Sequence, residues 1–341
     1  MPWRPTAGQQ AESRRREIPH RQGPLPLARE AENGSVELDE IEVRLTHLNK
    51  IYFPGDKLKK RDVLDYYHDI APFLLPHLRD RPNSLLRYPH GIEGESFYQK
   101  EAGEYLPEWI ATAALPSQGE RRHINYVLCN DTPTLLYLVN YGCIDFHLWM
   151  SRVHTPRSPD FTLLDLDPGP QAGFAQVVTV AQAIRRVLEE YGIIGVPKTS
   201  GATGIHIYVP LEPGYSYAQS AEFAAIILRL AAQRAPGLGT EVWAVRQRPA
   251  DRIYLDYRQN ALAKTVPPPY AMRPRPGAPV STPLQWQELN SRLNPARFTP
   301  AAVRRRLDRY GDLFAAVLPG KAPQSLPKIL ARMEENFTRV S

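Results

Sequence analysis

In the segment "FTLLDLDPGP", residues 161–170, two aspartates one residue apart lie inside an apolar run. In a β-strand, residues i and i+2 project from the same face, so Asp165 and Asp167 point one way and the flanking leucines point the other. Two neighbouring carboxylates repel each other, and burying them is costly unless a cation compensates the charge. Hard oxygen ligands at this spacing suit Mg²⁺ or Mn²⁺, so the pattern indicates a divalent-metal site. The alternative is that one aspartate caps the following helix while the other lies at the surface.

A third acid strengthens the metal interpretation. The segment "RIYLDYRQN", residues 252–260, places Asp256 in a second apolar strand, with its neighbours Ile253 and Leu255 on the opposite face. Three carboxylates would complete the kind of cage that holds two metal ions in phosphoryl-transfer enzymes. Taken alone, Asp256 could equally pair with an arginine.

Two histidines lie in strand-like apolar surroundings. In "KTSGATGIHIYV", residues 198–209, a small polar turn with two glycines leads into a strand that carries His206. The N–H groups of such a turn can hold phosphate, and His206 could donate to a triphosphate oxygen. His147 occurs in "IDFHLWM", residues 144–150. For either histidine the alternative is a core residue bonded to a backbone carbonyl. The turn does not match the Walker pattern, which disfavours a P-loop ATPase.

Composition and the order of elements set the class of protein. The chain has 341 residues, 43% hydrophobic residues and a net charge of +6, which weakly favours a polyanionic partner. It has no apolar run of membrane-spanning length and no apolar core of a signal peptide, so we expect a cytoplasmic protein. From residue 161 onward, strand and helix patterns alternate as β-α-β-α-β, which indicates an α/β or α+β core.

The ends of the chain differ in composition from its middle. Residues 1–40 are rich in Pro, Gly, Gln and charge, so we predict a disordered or extended arm there. The folded domain is expected at 41–320, in two modules of about 41–150 and 151–320. Residues 321–341 are expected to be a tail or a final helix.

Four motifs together resemble one family. "IDFHLW", "LDLDP", "TSGATGIHIYVPL" and "YLDYRQN" are similar to motifs of the polymerase domain of bacterial ATP-dependent DNA ligase D, in the archaeo-eukaryotic primase superfamily. The similarity covers about residues 41–320. It implies the primase fold, in which an RRM-like catalytic sheet packs against an N-terminal α/β module.

The resemblance implies a role for each motif residue. Asp165, Asp167 and Asp256 match the metal-binding carboxylates, which are catalytic. The positions that match nucleotide-binding residues are His147, Ser200, Thr203, His206, Gln259 and Arg273. Lys50 and Lys60 match lysines that bind a 5′-phosphate at a DNA break, and Phe97 matches an aromatic that stacks on template bases. Two positions depart from the family. The turn lacks a lysine that many relatives carry, so Thr203 should contribute less, and Gln259 stands where some relatives have arginine.

The expected function follows from the same resemblance. It is a metal-dependent, template-directed nucleotidyltransferase that uses two Mn²⁺ or Mg²⁺ ions and extends primers or fills gaps at 5′-phosphorylated breaks. Ribonucleotide preference, non-homologous end joining, a nucleoid-associated location, and the partners Ku and an ATP-dependent DNA ligase are also implied. Three alternatives stay open: a primase that starts strands de novo, a non-catalytic scaffold for 5′-phosphorylated ends, and a metal-dependent nuclease.

Overall fold

The computed structural model describes residues 19–116 and 122–340, with side chains up to residue 335. In these ranges the helices are α1 (Lys60–Leu78), α2 (Thr132–Asn140), α3 (Phe174–Glu190), α4 (Tyr217–Arg234), α5 (Pro300–Tyr310) and α6 (Leu326–Val340). The strands of the N-terminal half are β1 (Gly34–Leu38), β2 (Ile41–Leu45), β3 (Ile51–Phe53), β4 (Leu58–Lys59), β5 (Pro82–Arg87), β6 (Phe97–Gln99), β7 (Thr112–Pro116), β8 (His123–Leu128) and β9 (Cys143–Trp149). The remaining strands are β10 (Phe161–Pro168), β11 (Val196–Thr199), β12 (Ile205–Pro210), β13 (Gly239–Thr240), β14 (Ile253–Asp256) and β15 (Thr265–Val266).

The C-terminal half is built on a five-stranded sheet with the order β11-β12-β10-β14-β13. The opening stretch forms β10 at its centre, antiparallel to both β12 and β14. Leu164 and Leu166 are fully buried, as expected for the apolar face of a strand. Helices α3 and α4 pack on each other and against β10. Elements β10 to β14 thus follow a βαββαββ order, in which the two-residue strand β13 precedes β14, and the predicted RRM-like α/β fold is confirmed.

The N-terminal half is built on a six-stranded sheet with the order β15-β9-β5-β8-β7, and β6 pairs with β5. Strand β9 contains "CIDFHLW" and therefore carries His147. Strand β15 comes from the later half of the chain, where Thr265 and Val266 pair with Trp149 and Leu148 of β9. The predicted boundary between the two modules, near residue 150, therefore does not separate the two sheets, because residues 265–266 form a strand of the N-terminal sheet.

The folded part begins earlier than the expected boundary at residue 40. Strand β1 pairs along its whole length with β2, so residues 34–38 belong to the folded unit. Further upstream, Arg21 forms ion pairs with Asp69 and Asp308. These ion pairs anchor the segment around Arg21, although its sequence shows no periodic pattern of apolar residues. The predicted arm therefore differs from the structure over this part, and residues 1–18 lie outside the described residues. Within the described residues, no helix is long and apolar enough to cross a bilayer.

Candidate active site

The three predicted acids meet on neighbouring strands. In the pairing of β10 with β14, Asp165 lies directly opposite Asp256. Asp167 is two residues further along β10 and projects from the same face. Each of the three offers a carboxylate oxygen, and these oxygens all lie within 4.8 Å of one another. Strand alternation and antiparallel register therefore place together acids that are 91 positions apart at most.

The negative charges of the three clustered carboxylates are not fully balanced by the groups around them. Burial, and then the charges of Asp167 and Asp256, raise the pKa of Asp165 well above its usual value. Asp167 reaches the surface, yet burial of its carboxyl group and the charge of Asp256 raise its pKa too. Burial also raises the pKa of Asp256. Oδ1 of Asp165 is buried without a hydrogen-bond partner among the described residues. This donor set fits hard divalent cations.

A basic row continues from Asp165 across the sheet. His206 lies opposite Asp165 in the strand pairing, and Lys198 lies opposite His206. Nε2 of His206 is 3.4 Å from Asp165 Oδ1, while its Nδ1 is 3.1 Å from Lys198 Nζ. Burial, followed by the charge of Lys198, lowers the pKa of His206 well below its usual value. His206 therefore faces the site as a neutral imidazole. Sequence reasoning missed Lys198, which is fully buried.

The turn between β11 and β12 is held tightly against the site. Ser200 Oγ accepts hydrogen bonds from the backbone N–H groups of Ala202 (3.1 Å) and Gly204 (3.0 Å). At Gly204 a Cβ would lie 2.4 Å from the carbonyl oxygen of Leu166 in β10, so only glycine permits this approach. Thr203 is exposed in the same turn. The predicted serine thus organises the turn itself, beside the aspartates.

Two predicted nucleotide-binding residues share one buried carboxylate. His147 on β9 and Arg273 in the loop after β15 both contact Asp145 Oδ2, from Nε2 at 3.0 Å and from Nη2 at 3.3 Å respectively. Nε and Nη1 of Arg273 are buried and have no hydrogen-bond partner among the described residues. Unused buried N–H donors of a guanidinium suit an anionic ligand.

Gln259 contacts one of the acids and the first sheet. Its backbone N–H donates to Asp256 Oδ1 at 3.1 Å, and its side-chain Nε2 donates to the carbonyl of Thr265 in β15 at 2.8 Å. The side-chain amide therefore ties the end of β14 to the N-terminal sheet.

The two predicted DNA-binding lysines line one cavity of about 210 Å³, together with Arg87, His90 and Tyr141. Lys50 Nζ donates to the carbonyl of Pro89 at 2.8 Å, and Lys60 Nζ donates to the carbonyl of Thr46 at 2.7 Å. Burial, and then the charge of Lys50, lower the pKa of Lys60 to about 8. Such a concentration of cations favours an anion of the size of a phosphate.

An exposed aromatic edge lies next to this cavity. Phe97 and its neighbour Tyr98 on β6 are 43% and 49% exposed, which is high for large apolar rings. Arg87, which pairs with Phe97 across the strands, lies with its guanidinium 3.7 Å from the centre of the Tyr141 ring. Sequence reasoning found Phe97 but missed Arg87 and Tyr98, whose positions depend on the pairing of β5 with β6.

The fold and the site define a class of protein. Three clustered carboxylates on an RRM-like sheet, beside a glycine-containing turn and buried basic side chains, are the layout of a primase-type nucleotidyltransferase. A model of the family "LigD, primase-polymerase domain" matches residues 59–314, so the chain belongs to that family. The resemblance stated from the four motifs is thereby confirmed.

Individual relatives agree with this assignment. The chain is 33% identical over 294 residues to the "Bifunctional non-homologous end joining protein LigD" of Bacillus subtilis, covering 86% of this chain and 47% of the relative. It is 31% identical to the "Multifunctional non-homologous end joining protein LigD" of Pseudomonas aeruginosa, covering 85% of this chain and 34% of the relative. The chain therefore spans at most about half the length of these curated relatives.

A solved structure has the same fold. The polymerase domain of Mycobacterium tuberculosis Ligase D, in complex with DNA, superposes with a TM-score of 0.75 at 29% identity. The match covers 82% of this chain and 99% of the solved chain. The common fold therefore extends over almost the whole of that polymerase domain.

Proposed function

We propose that the protein is a template-directed polymerase that adds nucleotides to the 3′ end of a primer at broken or gapped DNA. The observation that carries the proposal is the meeting of Asp165, Asp167 and Asp256 in one cluster, together with the two buried N–H donors of Arg273 that have no partner among the described residues. A protein that only binds DNA ends has no use for three carboxylates whose charge makes the metal-free site unfavourable.

Each group has a defined task in this proposal. Asp165, Asp167 and Asp256 would hold two divalent ions, Mn²⁺ or Mg²⁺, which activate the primer hydroxyl and neutralise the triphosphate when bound. Arg273 donates its two unused N–H groups to phosphate oxygens, and neutral His206 donates one more hydrogen bond. In the turn that follows Ser200, the backbone N–H groups of Ala202 and Gly204 are taken by Ser200 Oγ, and Thr203 offers its backbone N–H to the same anion. These groups are fixed before substrate arrives, so little reorganisation is needed in the reaction.

The cavity at Lys50 and Lys60 supports DNA ends as the substrate in this proposal. We propose that it takes the 5′-phosphate on the far side of a gap, while Phe97 stacks on a template base. Two facts support this part: the relatives are named for non-homologous end joining, and the similar solved structure contains DNA. Action at the nucleoid in the cytoplasm, cooperation with Ku and an ATP-dependent DNA ligase, and use of ribonucleotides belong to the same proposal.

The test is primer extension. Labelled primer-template with Mn²⁺ and single nucleoside triphosphates should give primers longer by one or a few nucleotides, and Asp165→Ala should abolish the extension. Glu222→Ala is the matched control, because Glu222 is exposed on α4 and takes no part in the site. Shortened primers would indicate a nuclease, a gel shift without extension would indicate a scaffold, and products formed without a primer would indicate de novo priming.

A further inference from the structure

The side chain of Asp145 occupies an unusual position for a carboxylate. It lies on β9 with no exposed surface, although it belongs to neither the metal site nor the phosphate cavity. One oxygen, Oδ2, is contacted by both His147 and Arg273, at 3.0 and 3.3 Å. A fully buried charge is tolerated only when it is paired, and here both partners are residues proposed to bind the nucleotide.

This contact determines which nitrogen of His147 is available to a ligand. A carboxylate only accepts hydrogen bonds, so His147 Nε2 must carry the proton that it shares with Asp145. Nδ1 is then the nitrogen left to face a ligand, and because it carries no proton it accepts a hydrogen bond. The His147 ring is also contacted by the ring of Tyr98, which lies edge-on to it with the two ring centres 5.8 Å apart. Histidines are commonly oriented in this way by a carboxylate behind them.

The same contact fixes Arg273. With Nη2 held by Asp145, its Nε and Nη1 are the donors without partners among the described residues. The aliphatic part of Arg273 packs over Gly201, where a Cβ would lie 2.5 Å from Arg273 Cγ. The Arg273 side chain is therefore held at two points, by Asp145 of β9 at its guanidinium and by the turn at Gly201 along its aliphatic part.

We infer that Asp145 is a positioning residue that holds His147 and Arg273 in one fixed arrangement for the incoming nucleotide, with Arg273 donating to its triphosphate and Nδ1 of His147 accepting a hydrogen bond from a donor group of the same nucleotide. The inference rests on the proposed polymerase function. Replacing the carboxylate by a neutral amide leaves the shape almost unchanged but removes the charge that holds both partners. Asp145→Asn should therefore weaken nucleotide binding, although Asp145 need not touch the nucleotide.

The experiment compares the buried Asp145 with the partly buried Asp160, each of which is contacted by two basic groups. Asp160 is the control, because its Oδ2 pairs with Arg81 and Arg152 just before β10, away from the acids at the other end of that strand. Both Asp145→Asn and Asp160→Asn are expected to lower the melting temperature. Only Asp145→Asn should raise the KM for the nucleoside triphosphate, by about tenfold or more, with kcat changed by less than about threefold.

A double-mutant cycle separates positioning from general damage. If Asp145 acts through Arg273, then Asp145→Asn should cause little further loss in an Arg273→Ala background. The same comparison is made by equilibrium titration of nucleoside triphosphate with Mn²⁺ and no primer, so it stands even if extension fails. An unchanged nucleotide affinity in Asp145→Asn, or an equal loss in Asp160→Asn, would overturn the inference.

A measurement on the wild-type protein covers the case in which Asp145→Asn does not fold. Nitrogen-15 spectra of the histidine side chains, with His147 assigned through His147→Gln, report which ring nitrogen carries the proton. At pH 8 the protein should show His147 protonated at Nε2, shared with Asp145. Protonation at Nδ1 instead would rule out the proposed contact.

Discussion

The pKa of Lys60 leads to a sharp prediction on pH dependence. Burial and the charge of Lys50 lower this pKa from 10.5 to about 8, so the lysine is mostly charged at neutral pH but mostly neutral at pH 9. A bound phosphate favours the charged form and raises the pKa again. A terminal phosphate is already fully ionised above about pH 7, so Lys60 controls the change over this range.

The expected magnitude follows from linkage. Below pH 8 Lys60 is charged with or without DNA, and affinity for a 5′-phosphate is constant. Above pH 8 each binding event must take up a proton, so affinity falls by at most about tenfold per pH unit. The preference for gapped DNA with a 5′-phosphate over a 5′-hydroxyl should therefore drop several-fold between pH 7.5 and 9.

The assay is fluorescence anisotropy with the two gapped DNAs at constant ionic strength. Lys60→Met removes the titrating group and keeps the buried stem, so its preference should be small and independent of pH. Lys59→Met is the matched control, since the side chain of Lys59 contacts Asn49 and does not line the cavity. A 5′-phosphate preference that stays constant from pH 7 to pH 9.5 in the wild type would refute the reasoning.

Lys60→Met, which should weaken binding of the 5′-phosphate, should at the same time raise the stability of the fold. The folded-state pKa of Lys60 lies below its unfolded value, so at pH 7 the charged lysine destabilises the fold by up to about 3 kcal/mol. The penalty disappears as the pH rises from 8 towards 10.5. Lys60→Met should therefore be more stable than the wild type at pH 7, as is common when binding groups are removed. Chemical unfolding of the wild type and Lys60→Met at pH 7 and at pH 10.5 measures the difference in the free energy of unfolding.

Three other predictions concern the metal site, a buried ion pair and the turn. Mn²⁺ should raise the melting temperature of the wild type by several degrees and that of Asp165→Ala hardly at all; equal increases would argue against these ligands. Burial would raise the pKa of Asp312, but hydrogen bonds from His77, Tyr270 and the Phe314 N–H lower it overall. The ionised Asp312 therefore stabilises the fold above about pH 4, and this stabilisation is lost in more acidic solution. Asp312→Asn should accordingly lower the free energy of unfolding by about 2 kcal/mol at pH 7 and by progressively less as the pH falls below about 4; a constant difference in urea unfolding would contradict this. Gly204→Ala should cost about 1–3 kcal/mol and impair extension, because its Cβ would meet the Leu166 carbonyl at 2.4 Å, whereas Gly55→Ala, with open space around it, should do neither.

The sequence was sufficient to predict those features that follow from a local alternation of apolar and polar residues. Alternation in "FTLLDLDP" correctly placed both aspartates on one face, because the leucines between them had to be buried. The meeting of Asp165 with Asp256 needed the register of β10 and β14, which the sequence indicated only through resemblance.

Other features depend on contacts between distant segments and leave no local signal. Asp145 and Lys198 are charged residues in apolar strands, and only their partners show why they are buried. The start of the fold was placed too late for the same reason. Its upstream segment is polar and is held by Arg21 through ion pairs to distant aspartates, one of them 287 positions away.

The central claim is that three acids hold a pair of metal ions at which a nucleoside triphosphate reacts. Diffraction from crystals grown with Mn²⁺ and a non-hydrolysable nucleoside triphosphate, with anomalous scattering recorded for manganese, tests it most directly. We predict two manganese peaks bounded by the oxygens of Asp165, Asp167 and Asp256, with the triphosphate reaching towards Arg273. Manganese bound elsewhere, or a nucleotide seated away from these carboxylates, would contradict the claim.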